Sequence, residues 1–505
     1  MRSTLSAAGA ALLLAGPTAL AFFSGGFFDR PRLIAGLVAW AVALTAALAA
    51  PRPLPASGPG RVALAGLAAL FAWTALSLLW APVAGAAVDD IQRLLLYVGY
   101  ATGAVALFGQ PWVVRGLEPA LAAGALLVIG YGLSERLLPD LIDLHASVTA
   151  GGRLEQPLTY WNATGVLAAL GLVLCVRMAG DPRRQPGLRA AAAAAAVPLV
   201  TGVYLSFSRG ALAALALALV VLLALAPAGR TQARALATAL LPGAAAALLA
   251  GALPAVRALE GDLGSRRVQG LAMLLALVVL AGLAALLTMR ATRGNERDAR
   301  LPLARRTAVL AVLGVVLLGG ALVAAAFEAQ PESRSPAFGA SATRLGSVDS
   351  NRYGYWSVAL GTFADHPVQG IGSGGFVVDW LQERDVLDPT REPHSLYLGT
   401  LAELGLVGLA TLLAFLGGVA VAARRLWRAD PGLAAGPIAA LAGWAVHAGL
   451  DWDWEMPAVT LIALALASAL VAWSERSAPT PEKREGSTPA AGPRPLASAP
   501  GSTGA

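Results

Sequence analysis

Three basic side chains stand where chemistry on an anionic substrate could be done: Arg209 in the break Ser206-Phe207-Ser208-Arg209-Gly210, Arg352 in a long polar segment, and His394 directly after Pro393. A guanidinium fork fits phosphate oxygens bidentately, so Arg209 and Arg352 suit a phosphate-bearing headgroup. His394 precedes the apolar run Leu396–Ala423, which puts it at the first turn of a helix. There the helix dipole disfavours imidazolium and leaves a neutral ring that can accept a proton as a general base. The plainer readings are an interfacial anchor for Arg209 and a helix cap for His394. Glu403 lies inside the following apolar run, where an unpaired carboxylate is expensive, so it needs an arginine partner or a cavity.

Membrane-spanning helices must position these residues. Apolar residues are 57% of the chain, charged residues 13%, and mean hydropathy is +0.66, which excludes a soluble globule. Apolar runs recur along nearly the whole length, many near the ~20 residues needed to cross a bilayer, and they lack the short alternation of a barrel. The expected fold is an all-α polytopic membrane protein with about 12–14 spans. Residues 1–326 hold about eleven of them, from Leu5–Phe23 through Leu94–Phe108 to Thr307–Ala326. Residues 327–394 form one large extracytoplasmic loop with short helices. Residues 395–473 hold the spans Leu396–Ala423, Pro437–Leu450 and Pro457–Trp473, and 474–505 read as a disordered cytoplasmic tail rich in Pro, Ser, Thr and Gly. The first run lacks a small-residue cleavage site and reads as a retained span. Arginine clusters at 177–189, 230–234, 290–306 and 424–428 fall on one side, which the positive-inside rule makes cytoplasmic. Arg30, Arg32, Arg257, Arg266 and Arg267 fall on the other.

In the polar loop, Asp349 or Ser350 can cap a helix whose Tyr353, Trp356, Leu360 and Phe363 make one apolar stripe, with Arg352 at its edge one turn before Trp356. Pro367 ends that helix, and Gly370-Ile371-Gly372-Ser373-Gly374-Gly375 permits a tight turn. No strand precedes the turn and no lysine follows it, so it reads as structure and not as a nucleotide loop. The acids Asp349, Asp365, Asp379, Asp385 and Asp388 lack the spacing of a metal site. Asp451-Trp452-Asp453-Trp454-Glu455 is a short external turn with His447 one helical turn before it. Its rings suit the membrane interface or a sugar, and its carboxylates suit hydroxyls or an arginine such as Arg352; an aromatic belt with solvated acids is the simpler reading. Net charge is +7, but the basic residues flank spans and carry no nucleic-acid motif, so no nucleic-acid partner is expected. Cys175 is the single cysteine and cannot form an intrachain disulfide.

Taken in order, Ser208-Arg209-Gly210, Arg352 with Trp356, His366-Pro367, Gly370-Ile371-Gly372, and His394-Ser395 with Tyr397, Glu403 and Gly405 resemble the O-antigen ligase and polymerase family. The likeness spans roughly Ala190 to Val421, and Arg153 to Asn162 is similar to that family's external segment before a span, without its usual glycine. The resemblance implies a glycosyltransferase at the outer face of the bacterial cytoplasmic membrane. Its donor would be a polyprenyl diphosphate-linked glycan, its acceptor a glycan, lipid or protein, and it would need no metal or other cofactor. Carried over, Arg209 and Arg352 would grip the diphosphate and His394 would take the acceptor's proton. Arg153, Trp356, Tyr397, Glu403 and Asp451 complete the expected substrate-binding set. Two other classes share the hydrophobic pattern: a flippase of lipid-linked glycans, which would show two related halves, and a peptidoglycan-type polymerase, whose loop carboxylate has no evident counterpart here.

Overall fold

A computed structural model describes residues 2–50, 53–144, 147–293, 339–340 and 350–476. Within them the chain is all helical, with ten helices long and apolar enough to cross a membrane. The α-helices of the described residues are, in order, α1 (Arg2–Ala21), α2 (Asp29–Ala49), α3 (Gly58–Ser77), α4 (Ala84–Leu107), α5 (Pro111–Leu137), α6 (Trp161–Gly180), α7 (Pro186–Leu205), α8 (Arg209–Leu225), α9 (Gly229–Ala252), short α10 (Pro254–Ala258), α11 (Leu263–Arg293), α12 (Arg352–Asp365), α13 (Phe376–Glu383), α14 (Leu396–Ala429), α15 (Pro431–Ala448) and α16 (Pro457–Arg476); the ten of membrane length are α1–α3, α5–α7, α9, α11, α14 and α16. Every expected span within the described residues coincides with one of these helices. The span Thr307–Ala326, Asp349, most of the first half of the polar loop and the tail from 477 lie outside the described residues.

The core is built around α6 and α16, whose apolar windows are wholly buried, while α2 and α11 turn most of their surface outward. Lipid tails are as apolar as leucine, so close packing, not water expulsion, must hold such helices together. Small residues provide it: a Cβ on Gly66 of α3 would lie 2.5 Å from the Phe415 backbone nitrogen of α14, so glycine lets the two backbones touch. Local signals set the helix starts. Ser208 caps α8 by accepting from the Ala211 N–H at 3.2 Å, and Asp430 caps α15 by accepting from Leu433 at 3.0 Å, with Pro431 at the first helical position.

At one end of the bundle the basic cluster at 177–189 is tied down. Arg177 bonds to Asp181 and the Gly432 carbonyl, Arg183 to Asp430, and Arg184 to Glu118. At the opposite end, four of the five arginines that ran against the charge asymmetry have acidic neighbours: Arg32 is buried against Asp29, Asp89 and Gln92, Arg257 lies near Glu260, Arg266 near Glu135, and Arg267 pairs with Asp140.

The long helix α14 is broken at Gly405, which sits at φ 63°, ψ −162°, a conformation open essentially to glycine. The break frees backbone groups, and the polar segment satisfies them. Ile371 and Gly372 donate to the carbonyls of Ala402 and Glu403 at 3.1 and 2.8 Å, Trp73 Nε1 donates to Leu404, and Leu406 donates back to Pro367 at 2.9 Å. The glycine turn is therefore structural: it substitutes for the missing helical turn, as buried irregular backbone in a membrane protein must. A Cβ on Gly405 would lie 2.3 Å from the Val368 carbonyl oxygen. Gly405→Ala is expected to combine that clash with backbone strain of about 1–3 kcal/mol. The check is the melting temperature in detergent, which should fall by several degrees; an unchanged transition would show that the break does not depend on glycine.

Candidate active site

The polar segment and the charged helix ends meet at one end of the bundle, and α12 brings the first candidate side chain there. Ser350 Oγ accepts the Arg352 N–H at 3.3 Å, and Tyr355, Trp356, Ala359 and Thr362 form the buried face. The stripe expected from spacing is thus rotated: Leu360 is exposed, because Tyr355 packs edge-on to Trp380 at 4.8 Å and turns that side inward. Rotation sends Arg352 into the bundle. Its Nη2 donates to Asp451 Oδ2 at 2.5 Å, across 99 residues of sequence.

Asp451 is wholly buried, so the solvated-acid reading of the Asp451–Glu455 turn is corrected: Asp451, Asp453 and Glu455 all lie inside. They are tolerated because each has a partner. Tyr160 Oη donates to Asp451 at 2.7 Å and in turn accepts from Asn162, while Asp453 pairs with His447 Nδ1 at 2.5 Å. Burial pushes the Asp451 carboxyl up, but the Arg352 guanidinium, with lesser help from neighbouring groups, holds it below its ordinary value. Asp451 therefore stays an anion that orients Arg352. The Arg352 side chain remains 23% exposed, against 1% for Asp451.

His394 lies beside this pair. Ser395, not His394, caps α14, accepting from the Leu398 N–H at 3.4 Å, so the histidine sits one residue outside the helix. Its backbone is in the left-handed region at φ 55°, a strain of about 1–3 kcal/mol that functional sites commonly hold. Its ring lies 5.3 Å from that of Tyr355 and 5.9 Å from that of Trp452, centroid to centroid. Nδ1 is 3.0 Å from the Glu392 carbonyl oxygen. A carbonyl only accepts, so Nδ1 carries the proton and Nε2 keeps its lone pair. Burial, ahead of the opposing pull of Asp451, lowers its pKa and keeps the ring neutral. This is the state a general base requires.

The other expected residues divide into those near this centre and those that support it. Arg209 opens α8, and the adjacent Gly210 packs on His447, the partner of Asp453; a Cβ there would lie 3.1 Å from His447 Nε2. Arg153 is buried, its guanidinium 3.5 Å above the Trp161 ring and bonded to the carbonyls of Ala150 and Thr149. It braces the corner that presents Tyr160. Tyr397 donates to the Ala445 carbonyl at 2.8 Å and ties α14 to α15, while Trp356 is buried against Tyr353. Glu403 finds a backbone partner in the Phe376 N–H at 3.1 Å and faces a cavity.

That cavity, about 50 Å³, is lined by His394 and by a group that spacing did not single out: Thr74, Asp90 and Arg93 from α3 and α4, and Glu392. Arg93 pairs with Asp90 at 2.7 Å and with Glu455, and Ser373 donates to Asp90. Burial first, then repulsion from neighbouring acids, drives the Glu392 carboxyl well above its ordinary value, and burial, against the pull of Arg93, takes the Glu455 carboxyl up to about 7. The available signal was Asp89-Asp90-Ile91-Gln92-Arg93 abutting an apolar run; the expected span began only at Leu94. Among the described residues no three His, Cys, Asp or Glu side chains converge as a metal-ligand set.

Residues 268–413 match the family model described as O-Antigen ligase. The matched stretch includes Arg352, His394 and Glu403 and leaves Arg93, Arg209 and Asp451 outside it. No curated protein matches the chain.

Proposed function

From the O-antigen ligase-like domain that the chain carries, we propose that this multi-pass membrane protein is a glycosyltransferase taking its glycan from a polyprenyl diphosphate carrier at the outer face of a bacterial cytoplasmic membrane. The observation that supports it most is the pairing of a buried Asp451 with a part-exposed Arg352 beside a neutral, strained His394. Anchored by Asp451, the remaining fork of Arg352 would bind diphosphate oxygens, with Arg209 as the second cation. His394 Nε2 takes the proton of an acceptor hydroxyl as that oxygen attacks the anomeric carbon. The new C–O bond forms as the anomeric carbon–phosphate oxygen bond breaks, and the diphosphate leaves with the electron pair and the carrier. Charge develops on the leaving group next to fixed cations, the arrangement that stabilises a transition state most.

The test is direct. Purified protein in proteoliposomes is given a polyprenyl diphosphate glycan together with a glycan or lipid acceptor, and the products are resolved by mass. Longer carrier-linked chains identify a polymerase, and a new acceptor conjugate identifies a ligase. Donor that is moved across the bilayer but never consumed would identify a flippase and overturn the transferase reading.

A further inference from the structure

The cavity beside His394 carries four carboxyl groups, from Asp90, Glu392, Glu403 and Glu455, against a single guanidinium, that of Arg93. Arg93 is committed to Asp90 and Glu455, and among the described residues Glu392 has no cation within ion-pair distance. Such an excess of buried negative charge is unfavourable unless protons or a cationic group offset it. Two further observations point to a missing ligand. Thr74 lines the same cavity at 1% exposure with no hydrogen-bond partner for Oγ1, and the Arg93 Nε is also buried without one. In a well-packed interior such groups are normally satisfied. Trp452 and Trp454 supply flat apolar walls at the same place, the kind of surface on which a sugar ring stacks.

Resting on the transferase reading, we propose that this cavity is the acceptor subsite and that it receives a positively charged or donor-rich substituent of the acceptor sugar, a free amine above all. Charge decides the class: a lining of four carboxyl groups around one guanidinium suits an ammonium or another donor-rich group, and the sugar ring itself would rest on the tryptophans. An ammonium donates three hydrogen bonds to carboxyl oxygens on several sides, and its charge favours the ionised form of acids that burial otherwise holds protonated. A carboxylate or phosphate in the same place meets like charge. An acceptor so held would present a neighbouring hydroxyl to His394, which lines the same cavity.

The experiment uses the full-length protein in proteoliposomes with one polyprenyl diphosphate glycan donor and four matched acceptors: the octyl glycosides of glucosamine, glucose, N-acetylglucosamine and glucuronic acid. Both donor consumption and acceptor conjugation are measured. Transfer to the glucosaminide is expected to exceed that to the glucuronide by roughly 100-fold in kcat/KM, with the glucoside between, because a site built around unpaired buried groups rejects the wrong partner strongly. Glu392→Gln with Glu455→Gln should flatten the series while the donor's KM holds. Equal rates on all four acceptors, or a preference for the glucuronide, overturn the subsite. The wild-type series needs no variant to fold. Donor that is not consumed with any acceptor counts instead against the transferase reading, so the two failures are told apart.

Discussion

His394→Ala is expected to lower glycan transfer by about 10²–10⁴-fold, the usual contribution of a positioned general base. Donor binding should change little, because the ring holds no charge for the diphosphate to feel: burial lowers its pKa from the ordinary 6.5. The same direction fixes the sign of the pH dependence. A base is active when unprotonated, so transfer should be flat through neutrality and fall on acidification, with an acid limb whose midpoint lies below 6.5. His394→Gln separates packing from proton transfer, since glutamine can keep the bond to the Glu392 carbonyl seen at 3.0 Å but cannot accept the proton. Activity retained in either variant, or an acid limb that persists without the histidine, would remove His394 from the chemistry. Alanine keeps the Cβ and with it the left-handed strain, so thermal stability gains nothing from that source.

The spans were legible because apolar runs of bilayer length admit few alternatives, and α6 and α16 read that way from composition alone. Their ends were less legible, and the reason is visible in α4. Asp90 and Arg93 stand inside that helix, yet in sequence they mark a boundary, since nothing local tells that Arg93 has Glu455 as a partner across the bundle. Likewise the Asp451–Glu455 turn has the composition of a wet interfacial loop. It is buried because Tyr160, 291 residues away, and Arg352, 99 residues away, satisfy the same carboxylate. Pairings at that separation leave no periodicity. Residues whose placement carries an intrinsic cost stood out as candidates: an arginine at a helix start, a carboxylate within a span, a histidine before one. Glu403 needed a partner and has one, a backbone N–H exposed by the glycine turn and not the arginine that charge alone suggests.

Arg352→Lys tests the other half of the site, and its effect should be nearly as large. One Nη of Arg352 is spent on Asp451 at 2.5 Å, which sets the orientation of a planar group whose side chain is still 23% exposed. Lysine carries the same charge at a single nitrogen, so it can satisfy the buried carboxylate or the diphosphate but not both in one fixed geometry. Leaving Asp451 short of its partner is the costlier choice, because an uncompensated buried carboxylate is strongly destabilising, so the lysine should stay with Asp451. Donor KM is then expected to rise by roughly tenfold or more, the loss of a charge-assisted hydrogen bond worth about 1.5–3 kcal/mol. Asp451→Asn gives the complementary result: Arg352 keeps its fork but loses the anion that orients it, so both kcat and KM should suffer while the protein still folds. Binding of the carrier diphosphate, measured by titration with a short-chain polyprenyl diphosphate, distinguishes the outcomes. An Arg352→Lys protein that binds it as tightly as the parent would show that the guanidinium serves Asp451 alone, and the diphosphate would then have to be held elsewhere.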